Sequence, residues 1–394
     1  MAKQTIGVFF GSRSAEHDVS IITAISSIIR PLKALGEYEI VPIYIAKDGK
    51  WYSHPKLADI STYRSGEIEE LISKIDPLVV QVGNGLRLMS KSFGRYKSKT
   101  IDVAFPATHG TYGEDGSLMG FFEMAGLPYV GCDVSSSAIS MNKILSKRIA
   151  ISSGISTPVF ETANSQDLSS DNIEKFTDYL KNKSSLKNAK LPWFVKPAHL
   201  GSSIGITRVE SMSELQSALE VAMHYDDQVI VEEGVKNLIE VTVPVMGNEK
   251  LRTGLVEKPL TSASDFFDFE KKYLNNGKKP GQKSAKSGAQ GYSELPAKLS
   301  TGLYEKCQQT AKQIYNAIGC QGIARVDLLI NSKTKKVYFN EINPLPGSLY
   351  VHNWNKAGVS SSELTKELIN LAEKRYIAKN KLNTVFETNY LKQF

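Results

Sequence analysis

The sequence predicts an α/β protein whose C-terminal part changes to an α+β arrangement. Near the N-terminus a buried strand, a helix and a second strand follow one another, which is the order of a parallel β-α-β unit. In the second half the strands come in pairs joined by short turns, as in antiparallel hairpins. Because 394 residues exceed one ordinary core, we expect two or three packed lobes.

The N-terminal elements are predicted from apolar runs and helical spacing. Thr5–Phe10 (TIGVFF) is typical of a buried strand, Val19–Leu32 has helical spacing, and Ile40–Ala46 is the next strand. Ile101–Ala107 is predicted to be a later strand of the same sheet. The direction of the chain through these elements implies that the strands are parallel.

Two loops follow strands of this sheet. Gly11–Asp18 comes after the first strand, and His109–Gly116 lies between the later strand and a helix expected around Leu118–Ala125. In open α/β sheets, ligands bind at the carboxyl ends of the strands. We therefore expect both loops to line a ligand site.

The pattern of predicted elements changes near Ser135. We expect a helix over roughly Ser136–Ser152 and a polar surface excursion over residues 164–190. Three hairpins should follow, with turns marked by glycine, serine or asparagine. Their strands are predicted at Trp193–Pro197 and Ile204–Val209, at Ile239–Met246 and Leu251–Glu257, and at Ile323–Ile330 and Lys336–Ile342.

The third hairpin carries a candidate metal site. Residues two apart in a strand share a face, so Arg325 and Asp327 point the same way, as do Glu341 and Asn343. A turn centred near Thr334 places Asp327 across from Glu341. Hard oxygen ligands of this kind suit magnesium. A surface salt bridge on a half-exposed hairpin explains the same residues, and the hairpin alone leaves both interpretations open.

The first hairpin carries a candidate phosphate loop. Lys196 ends a strand, and the small residues of His199–Ser203 follow with backbone N–H groups that can close over phosphates. The pattern is not a Walker A loop, because the lysine precedes the glycine and a strand follows; an ordinary hairpin turn is the alternative. Glu232, Glu233 and Glu240 border the second hairpin, where they either contact a nucleoside or are simply solvated.

Composition favours a cytoplasmic protein with small anionic substrates. The net charge is +7, but the basic residues are mostly dispersed and form no aromatic-interleaved stripe, which argues against a nucleic-acid partner. No apolar run is long enough to span a membrane, and the first residues lack the core of a signal peptide. Three widely spaced cysteines are expected to be free thiols of a reducing compartment.

Along roughly Ile6 to Gly358 the chain resembles the D-alanine–D-alanine ligases, which are ATP-grasp carboxylate–amine ligases. Several long motifs carry the resemblance. They are Gly11–Ser20 (GSRSAEHDVS), His109–Gly116 (HGTYGEDG), Ser137–Lys143 (SAISMNK), Val195–Ser203 (VKPAHLGSS), Phe266–Tyr273 (FFDFEKKY), Arg325–Asp327 (RVD) and Asn340–Asn343 (NEIN).

The resemblance implies a domain organisation and a reaction. A Rossmann-like, substrate-binding pre-ATP-grasp domain would occupy residues 1–135, a central ATP-grasp lobe 136–225, and a C-terminal lobe with the metal site 226–380, followed by a tail at 381–394. The first D-alanine would be phosphorylated by ATP, and the amine of the second would attack the acyl phosphate. A lid at 265–294 would order over the site, and the family suggests a homodimer.

The resemblance also implies residue roles. Glu16 would bind the ammonium of the first D-alanine with His109 nearby, and Lys272 would lie near the transferring phosphate and the second substrate. Glu16, Ser202 and Tyr273 would link three loops by hydrogen bonds. The remaining implied sets are an oxyanion site of Arg325 and the Gly347 N–H, ATP contacts at Lys143, Lys196, Ser202, Ser203, Glu233 and Glu240, and two Mg²⁺ (or Mn²⁺) ions on Asp327, Glu341 and Asn343.

Three positions depart from the family pattern. Met119 stands where the family has Gln, and Asn142 replaces an Asp beside Lys143. After Gly347 the family has a serine that binds the carboxylate of the second substrate, and His352 takes its place here. The histidine could still donate to a carboxylate, or it could be a surface-loop residue without a role.

Three functions follow from these observations. The first is synthesis of D-alanyl-D-alanine for peptidoglycan. The second is a sister ligase that joins D-alanine, or another amino acid, to a different acceptor. The third is a non-catalytic nucleotide-binding relative, which the presence of the metal ligands and phosphate lysines disfavours.

Overall fold

The N-terminal sheet is parallel at its centre, which confirms the predicted β-α-β unit. The computed structural model describes residues 3–83, 85–92, 95–168, 172–259, 293–382 and 387–393. Strand β1 pairs in parallel with β2 and β7, and β3 adds an antiparallel edge. The elements are β1 (Gln4–Gly11), α1 (His17–Ile22), α2 (Arg30–Leu35), β2 (Tyr38–Ile45), β3 (Trp51–Tyr52), α3 (Ile60–Arg64), α4 (Ile68–Ser73), β4 (Val79–Val82), β5 (Leu86–Ser92), β6 (Arg95–Ile101), β7 (Val103–Pro106) and α5 (Ser117–Met124).

The helix predicted over Val19–Leu32 is one continuous helical segment, although its middle is π-helical. The π turn covers Thr23–Ile29 and joins α1 to α2. Strands β4, β5 and β6 form a separate antiparallel sheet, which the sequence interpretation did not anticipate.

Both faces of the parallel sheet are buried, which explains the unbroken apolar run of β1. Ile6, Val8 and Phe10 face the helical segment that follows β1. Phe9 faces the opposite way and packs against Phe122 of α5, with ring centroids 4.8 Å apart. Alternation along the strand therefore assigns one set of side chains to each of two cores.

The central lobe is built around an antiparallel sheet of order β10-β9-β11-β8. Its strand β11 lies just beyond the boundary expected at residue 225, so we propose that the central lobe extends through this strand. The helix expected at 136–152 is two helices that meet at Asn142. The elements are α6 (Val134–Met141), α7 (Lys143–Ser152), β8 (Phe160–Asn164), α8 (Ile173–Asn182), β9 (Trp193–Pro197), β10 (Thr207–Val209), α9 (Leu215–Met223) and β11 (Gln228–Glu233).

The C-terminal lobe has an antiparallel sheet of order β13-β12-β16-β17, which contains the second and third predicted hairpins. The first predicted hairpin is the β9-β10 pair of the central lobe, so all three are confirmed. Helix α10 (Thr301–Ile318) covers one face of this sheet with Cys307, Ile314 and Tyr315. The elements are β12 (Leu238–Gly247), β13 (Arg252–Thr253), β14 (Lys258–Pro259), β15 (Ser293–Glu294), α10 (Thr301–Ile318), β16 (Gly322–Asn331), β17 (Val337–Asn343), α11 (Val351–Lys356) and α12 (Ser361–Lys379).

The chain returns to the N-terminal domain at its end. Trp354 of α11 and Leu364 and Leu368 of α12 are fully buried in the core that contains β1. Arg375 of α12 also donates hydrogen bonds to the backbone carbonyls of Tyr129 and Gly131. These contacts tie the N-terminal domain to the lobe that carries the third hairpin.

Two further expectations can be compared with the structure. The three cysteines are free, as expected, and the structure shows that all three are buried. Within the described ranges, no helix is both long enough and apolar enough to cross a membrane.

Candidate active site

The third hairpin has the register that its turn predicts. Asp327 pairs with Glu341 and Arg325 with Asn343. The guanidinium of Arg325 grips Asp327 with two hydrogen bonds, Nε to Oδ1 at 2.8 Å and Nη2 to Oδ2 at 2.7 Å. Two carboxylates, one amide and one guanidinium thus gather on one face of two adjacent strands.

The lysines of the central lobe meet this hairpin. Lys143 Nζ lies 3.5 Å from Glu341 Oε2, and Lys196 Nζ donates to Asn340 Oδ1 at 3.4 Å. Burial alone would raise the pKa of Glu341, but the charges of Lys143, Lys196 and other cations lower it below its ordinary value. Glu341 is therefore an anion at neutral pH.

A buried ion pair lies beneath these groups. Lys196 Nζ donates to Glu232 Oε2 at 2.6 Å, and Lys147 Nζ lies 2.9 Å from Glu232 Oε1, although the angles of the second contact are not those of a hydrogen bond. Burial opposes ionisation, yet the two lysines lower the pKa of Glu232 to about 2. Glu232 is 2% exposed, so it is neither solvated nor open to a nucleoside.

Lys147 was missed by sequence reasoning. It follows Lys143 by one helical turn on α7, and this spacing places both lysines on the same face of the helix. Its side chain is fully buried and lies over the ring of Phe339. A lysine is seldom fully buried unless it is paired. The signal in the sequence that could have identified Lys147 was its four-residue spacing from Lys143, which was predicted to contact ATP.

The phosphate loop has an unusual backbone. Ser202 and Ser203 both adopt left-handed conformations, with φ of 54° and 62°. Ser202 Oγ donates a hydrogen bond to Glu16 Oε1, and Lys143 Nζ donates to the carbonyl of Leu200. The first contact joins the N-terminal domain to the central lobe. The second sets the loop beside a lysine predicted to contact ATP.

The loop Gly11–Asp18, which we call the first substrate loop, meets the loop His109–Gly116 at Glu16, Glu114 and His109. Burial, and then the charge of Glu114, raise the pKa of Glu16 above its ordinary value. Burial lowers the pKa of His109, but its hydrogen bond and charge interaction with Glu114, helped by Glu16, raise it overall. His109 is 3% exposed, and its Nε2 lies 2.8 Å from Thr23 Oγ1.

Gly110 makes this arrangement possible. It has a φ of 70°, and a Cβ at this position would lie 2.5 Å from Ser14 Oγ and 3.0 Å from Glu16 Oε2. A side chain here would therefore displace the carboxylate as well as strain the backbone.

The segment after Gly347 forms a compact turn beside Arg325. Ser348, Leu349 and Tyr350 all have φ near 50°. The Ser348 N–H donates to Thr23 Oγ1 at 2.9 Å, so Thr23 bridges this turn to His109. The hydroxyl of Tyr350 lies 2.7 Å from Thr242 Oγ1, and its ring lies beneath the Arg325 guanidinium at 5.5 Å.

His352 is paired with a carboxylate. Its Nε2 lies 2.9 and 3.0 Å from the two oxygens of Glu257, and Asn353 Nδ2 donates to Glu257 Oε2 at 3.1 Å. Burial raises the pKa of Glu257, but hydrogen bonds from His352 and Asn353 and the charge of His352 lower it below its ordinary value. The rings of His352 and Tyr350 are 4.6 Å apart, so His352 belongs to the same surface as Arg325.

The other predicted site residues fall into two groups. Glu233 and Glu240 lie half-buried at the end of β11 and in β12, on either side of the connection between the two sheets. Lys272 and Tyr273 lie outside the described residues, as does the predicted lid at 265–294 apart from Ser293 and Glu294. Met119, which departs from the family pattern, is buried in the core against the N-terminal sheet.

The donor set of the third hairpin fits magnesium. Carboxylate and amide oxygens are the hard ligands that this ion prefers, and Asp327, Glu341 and Asn343 bring them to one face. Asn343 Nδ2 donates to Asp327 Oδ2 at 3.4 Å, so the two side chains are neighbours, and the amide oxygen of Asn343 is the atom that would face an ion. Both Asp327 oxygens already accept from Arg325, so an ion there would share this carboxylate with the guanidinium.

Comparison with known proteins places the chain among ligases of one kind. The model for the D-ala D-ala ligase N-terminus matches residues 5–132, and that for the D-ala D-ala ligase C-terminus matches residues 150–370. Relatives named D-alanine–D-alanine ligase from Thermosipho melanesiensis and Chlorobaculum tepidum are each 36% identical, over 98% and 96% of this chain and 98% and 99% of theirs.

Solved structures agree with the sequence relatives. The VanG D-Ala:D-Ser ligase from Enterococcus faecalis matches with a TM-score of 0.74 at 30% identity, covering 94% of this chain and 100% of that one. The D-alanine–D-alanine ligase from Coxiella burnetii matches with a TM-score of 0.72 at 26% identity, covering 96% and 98%. These neighbours have the ATP-grasp fold that the sequence motifs predict.

Proposed function

The chain belongs to the D-alanine–D-alanine ligase family, and we propose how its residues divide the work of that reaction. It is an ATP-dependent ligase that joins two D-alanine molecules for peptidoglycan precursor synthesis. The observation that supports our assignment of roles most strongly is the hydrogen bond from Ser202 to Glu16. It brings the first substrate loop against the phosphate loop, where a donor carboxylate would have to meet ATP.

Glu16 and His109 bind the first D-alanine. The ionised carboxylate of Glu16 attracts the substrate ammonium, and its bond to Ser202 fixes its direction. His109 is anchored between Thr23 and Glu114, so it lines the same pocket without freedom to rotate. Both residues orient the carboxylate of the first D-alanine towards the phosphate loop. Phosphorylation of this carboxylate is the step to which positioning contributes most.

Lys143, Lys196, Ser202 and Ser203 bind the ATP phosphates. Glu233 and Glu240 face the nucleoside. Glu232 and Lys147 do not contact ATP themselves. Glu232 accepts a hydrogen bond from the Lys196 ammonium and is paired with Lys147, so the two residues fix the position of Lys196.

Asp327, Glu341 and Asn343 hold two magnesium ions, for which manganese can substitute. When bound, these ions neutralise charge on the phosphoryl group that is transferred to the donor carboxylate. Arg325 stays oriented by Asp327 and offers positive charge to the oxyanion that forms when the second amine attacks. The Gly347 N–H, Lys272 and Tyr273 complete this part of the site.

His352 binds the second substrate in place of the family's serine. It uses Nε2 for Glu257, so a substrate carboxylate would be met by Nδ1. A second candidate function rests on the same pair. Glu257 is an anion near the acceptor surface, and a hydroxyl on the acceptor could donate to it, which would suit a D-serine acceptor like that named for the VanG enzyme.

We further propose that the protein works in the cytoplasm as a homodimer. The division into a substrate-binding domain, a central lobe and a metal-bearing lobe fits the three four-stranded sheets. The central lobe and the metal-bearing lobe each have a hydrophobic core of their own.

Phosphate release by the purified protein tests this function. With ATP, magnesium and D-alanine as the only amino acid, we expect phosphate and D-alanyl-D-alanine in equal amounts by mass spectrometry. Phosphate without the dipeptide would retain the donor half-reaction and reject D-alanine as acceptor. No phosphate release would overturn the assignment of the donor site.

A further inference from the structure

Helix α7 and the phosphate loop meet through three side chains that the ligation chemistry does not use. Asn142 caps the helix, because its Oδ1 accepts from the backbone N–H groups of Ile144 and Leu145, both at 2.9 Å. Its Nδ2 lies 2.8 Å from Nε2 of His199. On the other side of the ring, Nδ1 lies 3.0 and 3.1 Å from the two oxygens of Asp226.

Helix capping fixes the direction of the Asn142 amide. If the amide turned round, two backbone N–H groups at the start of α7 would lose their acceptor. The NH₂ group therefore faces His199, and an amide nitrogen can only donate. Nε2 of His199 must then accept, so Nδ1 carries the ring proton and donates it to Asp226.

We propose that His199 is a positioning residue of the phosphate loop that acts as the neutral, Nδ1-protonated imidazole, and that Asn142 selects this form. The proposal rests on the proposed function in one respect, namely that the loop covers the ATP phosphates. If the ring gained a second proton, at Nε2, that N–H would face the Asn142 NH₂ group, and the contact would break because both groups are donors.

Loss of the contact between Asn142 and His199 would change the position of the phosphate loop relative to Lys143, the lysine proposed to bind ATP. The backbone on both sides of His199 is bound to Lys143, whose N–H donates to the Ala198 carbonyl at 2.9 Å and whose Nζ donates to the Leu200 carbonyl. The His199 side chain is therefore the third attachment of the loop to the start of α7. Loosening it would let the loop shift relative to the Lys143 ammonium and weaken ATP binding.

The charges around His199 bring its titration into an accessible range. The hydrogen bond with Asp226 raises the pKa of His199, burial opposes it, Asp227 adds to the increase, and Lys143 acts against it. Because 42% of the side chain is exposed, a solvent proton can reach the ring. The neutral form is thus lost as the pH falls through a pKa that lies above the ordinary value.

Asn142→Asp is the matched variant. Asp caps a helix about as well as Asn, so the start of α7 should be kept. A carboxylate would accept from a protonated Nε2, so the doubly protonated ring would be held where Asn142 rejects it. The family's usual Asp at this position would have the same effect, which makes the neutral form specific to chains with Asn here.

Nitrogen-15 NMR tests the tautomer directly and needs no substrate. The chain has six histidines, and His199→Gln identifies the signals that belong to His199. The ligand atoms of His199, Asp226 and Asp227 lie within 4.8 Å of one another, so the protein is first treated with EDTA to exclude a bound cation. We expect a protonated Nδ1 and a bare Nε2 on the alkaline plateau of the His199 titration; a protonated Nε2 on that plateau would overturn the proposal.

Kinetics test the consequence. For the natural chain we expect the KM for ATP to rise about fivefold as the pH falls through the His199 titration, the ratio given by one hydrogen bond of about 1 kcal/mol. Asn142→Asp and His199→Gln should show no such rise, and thermal melts confirm that each is folded. The same pH profile in all three proteins would overturn the proposal. A protein that binds no ATP at any pH would instead reject the proposed function and leave the NMR result standing.

Discussion

The part of the site that binds the first D-alanine, the donor side, matches the family motifs more closely than the part that binds the second substrate, the acceptor side. On the donor side, Glu16, His109 and Ser202 match the motifs and are bonded to one another or to anchoring residues. On the acceptor side, His352 replaces the family's serine and is bonded to Glu257. The donor pocket must align a carboxylate with ATP, which leaves little latitude. The acceptor pocket holds the carboxylate of the second substrate, and either a serine or a histidine can donate a hydrogen bond to it.

The buried Glu232 supports Lys196, which is predicted to bind ATP, and removing the charge of Glu232 should have the largest effect. Glu232→Gln leaves Lys147 and Lys196 without their anion, which should lower the free energy of unfolding by about 3–5 kcal/mol in chemical denaturation at neutral pH. The pKa of Glu232 is depressed, so its contribution is complete above about pH 4.5 and is lost as the pH falls towards about 2. The deficit of the variant should therefore shrink in acid.

The double variant Lys147→Met with Glu232→Gln is the control. It removes one of the two stranded lysines and should be more stable than Glu232→Gln alone. Equal stability would mean that Lys147 does not depend on Glu232.

Arg325 lies between the two sides, so its loss should affect ligation more than binding. Arg325→Ala should lower kcat by about 10²–10³-fold, because charge on the oxyanion is no longer stabilised. Arg325→Lys keeps the charge but loses the two-point grip on Asp327, and it should recover only part of the rate. Steady-state kinetics at saturating D-alanine check this. A change in KM alone, with kcat unchanged, would contradict the proposal that Arg325 stabilises the oxyanion.

Glu16→Gln should break the donor side alone. We expect the KM for the first D-alanine to rise by about 10²-fold, since a charged hydrogen bond to the ammonium is lost. Glu16 must be ionised to bind, and its pKa is raised by burial. In the natural chain this KM should therefore rise as the pH falls through that pKa, and the Gln variant should lack this dependence. Initial rates at several pH values separate the two.

His352→Ala should break the acceptor side alone and has the smallest expected effect. The KM for the second D-alanine should rise about tenfold through loss of one charge-assisted contact. Trapping of the acyl phosphate with hydroxylamine should be unchanged, because the donor half-reaction does not use His352. His352→Ser restores the residue found in the family and serves as the matched control. Reduced trapping of the acyl phosphate in His352→Ala would contradict this, because it would show that His352 also takes part in the donor half-reaction.

The same contrast separates what the sequence could predict from what it could not. The register of the third hairpin followed from strand periodicity and the turn, so Asp327 and Glu341 were placed correctly. The pairing of Lys147 with Glu232 joins α7 to β11 across 85 positions of sequence, and no local pattern encodes it. The partner of His352 was likewise hidden, because Glu257 lies on a distant segment and becomes a neighbour only after the lobe has folded.

Competition between acceptors tests the central claim most directly. The natural chain is given ATP, magnesium, and D-alanine and D-serine at equal concentration, and the dipeptides are quantified by mass spectrometry. If His352 and Glu257 form a D-alanine pocket, D-alanyl-D-alanine should dominate. An excess of D-alanyl-D-serine would contradict this account, and it would assign the acceptor side to a hydroxyl-bearing substrate while leaving the donor side intact.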